Sequence, residues 1–372
     1  MLLVGGALVG SSARGGSLFS NDSNSAASSN GRVFRPSGAG SFTPPSDQGN
    51  VSGVASNVAP GLVNIVTTLD GGGEGAGTGM VISSSGEVLT NNHVIENANS
   101  IDVEIGGNGS SHSAKVIGYD VRDDVALIKI DGVSGLNTIP IGNPDSAAVN
   151  DPVVVMGNAL GQGGAPAVAS GTVTAVDQQI TATDSDGSNA ETLTNLIRVE
   201  ADVQPGDSGG ALVDGNGKVI GMTTAASTGG FRFREQASGV GFAIRVDKAL
   251  SIVKQIRNGD ETDGVHVGAR ALLGVSLQDP SASQFGGRGS SSSSSTSGAV
   301  VLNVASNTPA DDAGIQAGDV IVSIGNSSVS STNELEDVMN TYHPDDKVKV
   351  TWTDSSGDNH SATVKLIEGP PA

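Results

Sequence analysis

Between residues 51 and 257 the apolar residues come in short runs broken by Gly, Asn and Asp, with little helical periodicity. Runs at 61–69, 79–83, 101–105, 115–118, 125–130, 152–156, 171–176 and 196–200 either alternate apolar and polar residues or are continuously apolar, and each predicts a strand. Closely spaced strands with no helices between them predict a barrel or sandwich, and a length of roughly 200 residues suits two six-stranded barrels. Residues 246–257 are the exception: their apolar positions follow a helical period and close the unit.

A different pattern follows. Residues 258–270 form a short polar junction, and a second unit spans 271–368. Apolar runs at 271–277 and 299–304 flank a Gly/Ser tract at 286–298, which predicts a flexible loop inside the unit. Residues 309–315 predict a short helix stopped by Gly314, 318–324 a strand after a turn, and 332–342 a helix. Strands at 347–352 and 360–366 complete a small α+β module. At the other end, residues 11–50 are rich in Ser, Asn, Gly and Pro, including Pro36, Pro44 and Pro45, and predict a flexible tether.

Composition narrows the reading. Aromatic residues make up 3% of the chain, so the cores must be built from Val, Ile, Leu and Ala. Zero cysteines exclude a disulfide framework and a thiolate metal site, and no His-x-x-x-His spacing offers another, so neither metal nor cofactor is expected. A net charge of -20 argues against nucleic acid and anionic lipid as partners and is read as solubility. Residues 1–10 are apolar, but as a helix they would span about 15 Å, half of what a bilayer needs. They also lack the basic flank of a signal peptide. Two readings stand: the end of a membrane anchor beginning before Met1, or an unstructured terminus.

The chemistry concentrates at Gly206-Asp207-Ser208-Gly209-Gly210. A serine hydroxyl needs a base to take its proton and donors for the oxyanion that forms on attack; flanking glycines let the backbone turn and aim N–H groups at that oxygen. With 54 glycines, chance produces this pentapeptide in about one such chain in a hundred, so it needs partners. His93 follows an apolar strand-like run, and Asp124 opens another, where a carboxylate is costly unless paired. Asp123 should point to the opposite face and is read as solvated. The order His93, Asp124, Ser208 is that of the chymotrypsin-like template. The strand, tight turn and strand after Ser208 read as a hairpin, not as the helix of a hydrolase elbow. The oxyanion donors would be backbone N–H groups within Gly206, Asp207 and Ser208. Val203, Thr223, Thr224 and Ala225 are candidates for the pocket that takes the P1 side chain, and without an acidic residue there a small or medium apolar P1 is expected.

These segments carry a family likeness. Residues 90–95 (Thr-Asn-Asn-His-Val-Ile), 124–129 (Asp-Val-Ala-Leu-Ile-Lys) and 206–212 (Gly-Asp-Ser-Gly-Gly-Ala-Leu) resemble the three triad segments of the HtrA (Deg) serine proteases, and 239–244 resembles that family's strand before its closing helix. The C-terminal unit looks like a PDZ domain, with Leu272, Leu273, Gly274 and Val275 in its carboxylate-binding loop. The fold class implied is mainly β: a chymotrypsin-like double β-barrel followed by a small α+β PDZ domain. The resemblance further implies an ATP-independent endopeptidase of the cell envelope acting on unfolded or misfolded polypeptides. It also implies a PDZ domain that binds protein C-termini or hydrophobic segments, assembly as a homotrimer or larger homo-oligomer, and membrane contact only through an N-terminal anchor. Two departures stand out. Asp207 replaces the more usual Asn, which raises the expectation of a charged partner, and Ala159 stands where the family has Pro. The alternatives are a protease-fold chaperone with little catalysis and a β-rich adhesion or carbohydrate-binding protein.

Overall fold

The computed structural model describes residues 48–69, 73–107, 110–183, 191–224, 232–233, 239–262, 264–278 and 297–371. The apolar terminus, residues 11–47 of the expected tether, Ala225 and nearly all of the Gly/Ser tract lie outside them, and the last three tether residues, 48–50, are helical instead. Helix α1 (Gln48–Val58) opens the described chain. It was not expected, because its apolar residues are few: among its described side chains Val54 and Val58, one turn apart, are buried in the core and Ala55 packs against it.

The first barrel uses β1 (Leu62–Leu69), β2 (Glu74–Ser83), β3 (Glu87–Thr90), β4 (Ala98–Ile105), β5 (Ser111–Asp120) and β6 (Val125–Ile130). The one-turn helix α2 (Asn92–Ile95) follows β3. The strands run β5-β4-β1-β2-β3-β6, and β5 pairs with β6 to close the ring. The second barrel uses β7 (Pro152–Gly157), β8 (Ala167–Thr183), β9 (Glu191–Ala201), β10 (Ala211–Asp214), β11 (Val219–Thr224) and β13 (Val240–Arg245), in the order β8-β7-β10-β11-β13-β9. Pairing of β8 with β9 closes this ring, and the short β12 (Arg232–Phe233) lies on β8. The molecule is mainly β, as the alternation predicts.

Alternation also explains how the barrels meet. Val63, Ile65, Val81, Val88, Ala126 and Ile128 fill one cluster. Their neighbours Leu62, Met80, Leu89 and Leu127 point the other way and pack with Met156, Ala211 and Met222 of the second barrel. Helix α3 (Val246–Asn258) adds Val246, Ala249, Ile252, Val253 and Ile256 to this shared core. It stops at Gly259, whose left-handed backbone turns its N–H back onto the last carbonyls.

Within the expected polar junction, β14 (Val265–Val267) pairs with β5 and puts Val265 into the shared core. A second, separate core holds Ala271, Leu273, Val301, Ile321, Leu335, Val350, Trp352 and Leu366. Its elements are β15 (Arg270–Leu272), β16 (Val275–Leu277), β17 (Ala299–Val304), α4 (Pro309–Ala313), β18 (Val320–Ile324), β19 (Ser327–Ser328), α5 (Thr332–Met339), β20 (Lys347–Thr353), β21 (Asn359–Lys365) and β22 (Ile367–Gly369). The main sheet runs β16-β17-β18-β20-β21, so β16 lies at its edge. Thr308 and Ser331 cap α4 and α5 through their hydroxyls.

The two units touch. The ring of His266 on β14 stacks on that of His343 beyond α5, with centroids 4.7 Å apart, and Asn97 N donates to Pro371 O at 2.9 Å.

Candidate active site

Register places the first two candidates. Thr90 on β3 lies opposite Ala126 on β6, so the residues just after β3 and just before β6 emerge side by side. His93 Nδ1 stands 2.9 Å from Asp124 Oδ2 and 3.0 Å from Oδ1, and the His93 backbone N–H donates to Oδ1 at 3.0 Å. The Thr224 hydroxyl donates to Oδ2 at 3.2 Å. A carboxylate accepts, so this contact suits the neutral tautomer with the proton on Nδ1, in which Nε2 keeps its lone pair. Asp124 is buried and adopts φ +52°, a left-handed conformation that Asp tolerates better than most residues. Asp123 turns away from this pair, but it is not simply solvated: Lys248 Nζ on α3 holds its carboxylate at 2.5 Å.

Ser208 precedes β10 of the second barrel, and its loop is sewn to the first. Thr78 N on β2 donates to Ser208 O at 2.8 Å. Asn91 uses both ends of its side-chain amide: Nδ2 donates to Asp124 O at 2.9 Å, and Oδ1 accepts from Gly209 N at 2.7 Å. Thr90 Oγ1 donates to Thr78 O at 2.7 Å, bracing the same strand. Asn91, Thr78, Thr90 and Thr224 carry this geometry; of these only Thr224 was singled out from sequence, and for a different role.

The loop is glycine-bound for a steric reason. Gly206 and Gly209 have φ of +95° and +80°, and a Cβ on them would lie 2.2 Å from Asn158 O and 2.0 Å from Thr78 O. Pro205 O accepts from Leu160 N at 2.5 Å, and Gly206 O accepts from Thr78 Oγ1 at 2.8 Å. In a planar trans peptide the N–H opposes the C=O, so fixing the Pro205 carbonyl also fixes the direction of the Gly206 N–H. The Asp207 N–H donates to Gln204 O at 3.0 Å within a turn. Leu160, one residue past Ala159, has φ +60° and is 60% exposed.

The remaining candidates fall as follows. Thr223 is buried on β11 and exchanges backbone bonds with the serine loop, its O accepting from Gly209 N and its N donating to Gly210 O. Val203 packs against Gly241 on β13. Leu273 O and Gly274 O accept from Ala310 N and Ala305 N, both at 2.9 Å, so the backbone of this loop is tied to α4 and the turn before it. Leu272 ends β15 and Val275 opens β16.

One cluster was invisible in sequence spacing. Glu261, His266 and His343 bring ligand atoms within 4.8 Å of one another. The two rings are stacked at 14°, and lone pairs lying in near-parallel planes do not converge on one ion. The ring nitrogens of His266 instead face Asn340 O and Ala269 O at 3.0 and 3.1 Å.

Residues 77–222 match the model of a trypsin-like peptidase domain, and residues 271–366 match that of a PDZ domain. The chain is 34% identical over 297 residues to the serine protease Do-like HtrA of Lactococcus lactis, covering 78% of this chain and 70% of that one. This chain belongs to the HtrA family of serine proteases. It is a serine endopeptidase with one PDZ domain. A probable periplasmic serine protease, do/HhoA-like, of Haemophilus influenzae is 34% identical over 295 residues, which are 78% of this chain and 58% of that one. A solved HtrA-type protease, AlgW with a tripeptide, is 29% identical and covers 87% of this chain and 98% of its own, with a TM-score of 0.48.

Proposed function

We propose that this HtrA protease cleaves unfolded or misfolded polypeptides outside the cytoplasm, with Ser208 as nucleophile, His93 as base and then acid, and Asp124 as the group that orients the imidazole. The observation that carries the assignment is the His93 Nδ1–Asp124 contact at 2.9 Å, built into the network that holds the Ser208 loop. Asp124 fixes the tautomer, so Nε2 of His93 takes the Ser208 proton as Oγ attacks the scissile carbonyl. The imidazolium then returns that proton to the leaving amine. The N–H groups of Gly206 and Ser208 receive the oxyanion, while that of Asp207 holds the turn. Val203 and Thr223 line the side on which a small or medium apolar P1 residue sits.

The edge strand β16 suits capture of an extended peptide end by strand addition, with the 272–275 loop receiving its carboxylate. The boundaries that fit this division are 51–257 for the protease, 258–270 for the junction and 271–368 for the PDZ domain. Assembly as a homotrimer and an N-terminal membrane anchor complete the reading; the relatives named as periplasmic support its extracytoplasmic part.

The test is labelling with a fluorophosphonate probe together with casein cleavage, beside Ser208→Ala. Stoichiometric labelling and cleavage are expected in the wild type, and neither in the variant. Cleavage that survives Ser208→Ala removes the nucleophile assignment, and peptide binding without either activity favours the chaperone alternative. Deleting residues 271–372 should slow casein cleavage more than cleavage of a short peptide; equal loss would count against substrate capture by the PDZ domain.

A further inference from the structure

Asp207 stands between the two residues whose N–H groups receive the oxyanion, and its carboxyl group is poorly compensated. The residue is 3% exposed. Oδ2 accepts one hydrogen bond, from Gln204 N at 2.8 Å, while Oδ1 is buried with no hydrogen-bond partner. Oδ1 lies against the end of β7, where a Cβ on Gly157 would come within 2.7 Å of it. The neighbours on that side, Gly157 and Thr78, are uncharged. The charged group that faces Asp207 from its own turn is Asp202, of the same sign. Among the described residues no cation forms an ion pair with Asp207, so the charged partner expected from sequence is replaced by a single backbone N–H. Burial, with the Asp202 charge added, pushes the Asp207 carboxyl up to about 6.

We propose that Asp207 serves this protease as a neutral carboxylic acid, positioning the serine loop without charge, and that losing its proton to solvent slows catalysis by placing an anion beside the oxyanion. The inference rests on Ser208 being the nucleophile. Negative charge develops in the transition state on an oxygen held by the N–H groups on either side of Asp207. A second negative charge in the same poorly solvated loop repels it and opposes the donors' stabilisation. The neutral acid is close in size and shape to an amide, which explains how Asp fits where Asn is usual in the resemblance. Two demands then oppose each other with pH. His93 must be neutral to act as base, which favours higher pH, and Asp207 must stay protonated, which favours lower pH.

The experiment is the rate of single-turnover fluorophosphonate labelling of the full chain between pH 5 and 9, for wild type and Asp207→Asn, with Ser208→Ala as blank. Wild type should show a falling limb above about pH 6, approaching tenfold per pH unit if the anionic form is inert. Asp207→Asn should lack that limb and label more than about tenfold faster than wild type at pH 8. A wild-type profile without a falling limb, or the same limb in both proteins, overturns the proposal. Should Asp207→Asn fail to fold, Asp202→Asn replaces it: removing the like charge moves the limb to lower pH, and an unmoved limb overturns the proposal. Wild type that labels at no pH removes the Ser208 assignment and this inference with it, an outcome distinct from loss of the pH difference alone.

Discussion

The side chain of Asn91 is fully buried, and each end of its amide satisfies a backbone group from a different part of the chain, Asp124 O and Gly209 N. Truncation to alanine leaves Asp124 O without this donor, which costs on the order of 1–3 kcal/mol, while Gly209 N keeps its bond to Thr223 O. Asn91→Ala is therefore expected to lower Tm and to reduce kcat more than it raises KM, because the serine loop and the Asp124 turn lose their common brace. Calorimetry with steady-state kinetics on a short peptide checks this; unchanged kcat would mean that the backbone bonds from Thr78, Thr223 and Leu160 hold the loop without Asn91. Sequence pattern exposed His93, Asp124 and Ser208 because their residue types are scarce or costly in their settings. It could not expose Asn91, whose two partners lie 33 and 118 residues away. Thr224 shows the same limit. Without the pairing of β11 to β13 its strand face was unassigned, so it was read as pocket lining, whereas its hydroxyl supports Asp124.

At the scale of elements, the 3-10 turn Ala159–Gly161 acts on the serine loop through backbone, not through side chains. Leu160 donates its N–H to Pro205 O from a left-handed conformation that costs a non-glycine residue roughly 1–2 kcal/mol. Two substitutions separate its roles. Leu160→Gly keeps the N–H and relieves the strain, so it should retain activity on a short peptide and gain up to about 1 kcal/mol of stability. Leu160→Pro removes the N–H and cannot adopt this φ, so it should free the Pro205 carbonyl and cut kcat at least about tenfold. Equal activity of the two variants would show that the Leu160–Pro205 bond does not set the oxyanion donors. Elements were legible where period-two alternation ran long enough, as in the barrel strands. They were not where few residues carry the signal: β14 has three residues inside a polar stretch, and α1 has few apolar residues to show a period.

At the scale of the whole molecule, folding buries two carboxyl groups, among the described residues, whose ionisation it penalises. Asp120, at the end of β5, is pushed up to about 6 by burial and by the neighbouring Asp123, and Asp207 is pushed up to about 6 chiefly by burial. Both start from 3.8 in the unfolded chain. Between pH 4 and 6 the folded state therefore holds protons that the unfolded state has released. Stability from these two groups is greatest below the unfolded value, falls as pH rises through this window and levels off above it. A rise of about two units corresponds to at most about 3 kcal/mol per group. The net charge of -20 acts in the same direction, because carboxylates that protonate on acidification relieve self-repulsion in the compact state. Tm should therefore be higher at pH 5 than at pH 7.5, the reverse of a protein whose carboxylates are stabilised by ion pairs. Asp120→Asn and Asp207→Asn should each raise Tm at pH 7.5 and shrink the difference between the two pH values, with near-additive effects because the sites belong to different barrels. Thermal unfolding of the three proteins at both pH values reads this directly. A wild type more stable at pH 7.5 than at pH 5 would show that the two carboxyl groups are compensated in the folded state and would also remove the electrostatic basis for a neutral Asp207.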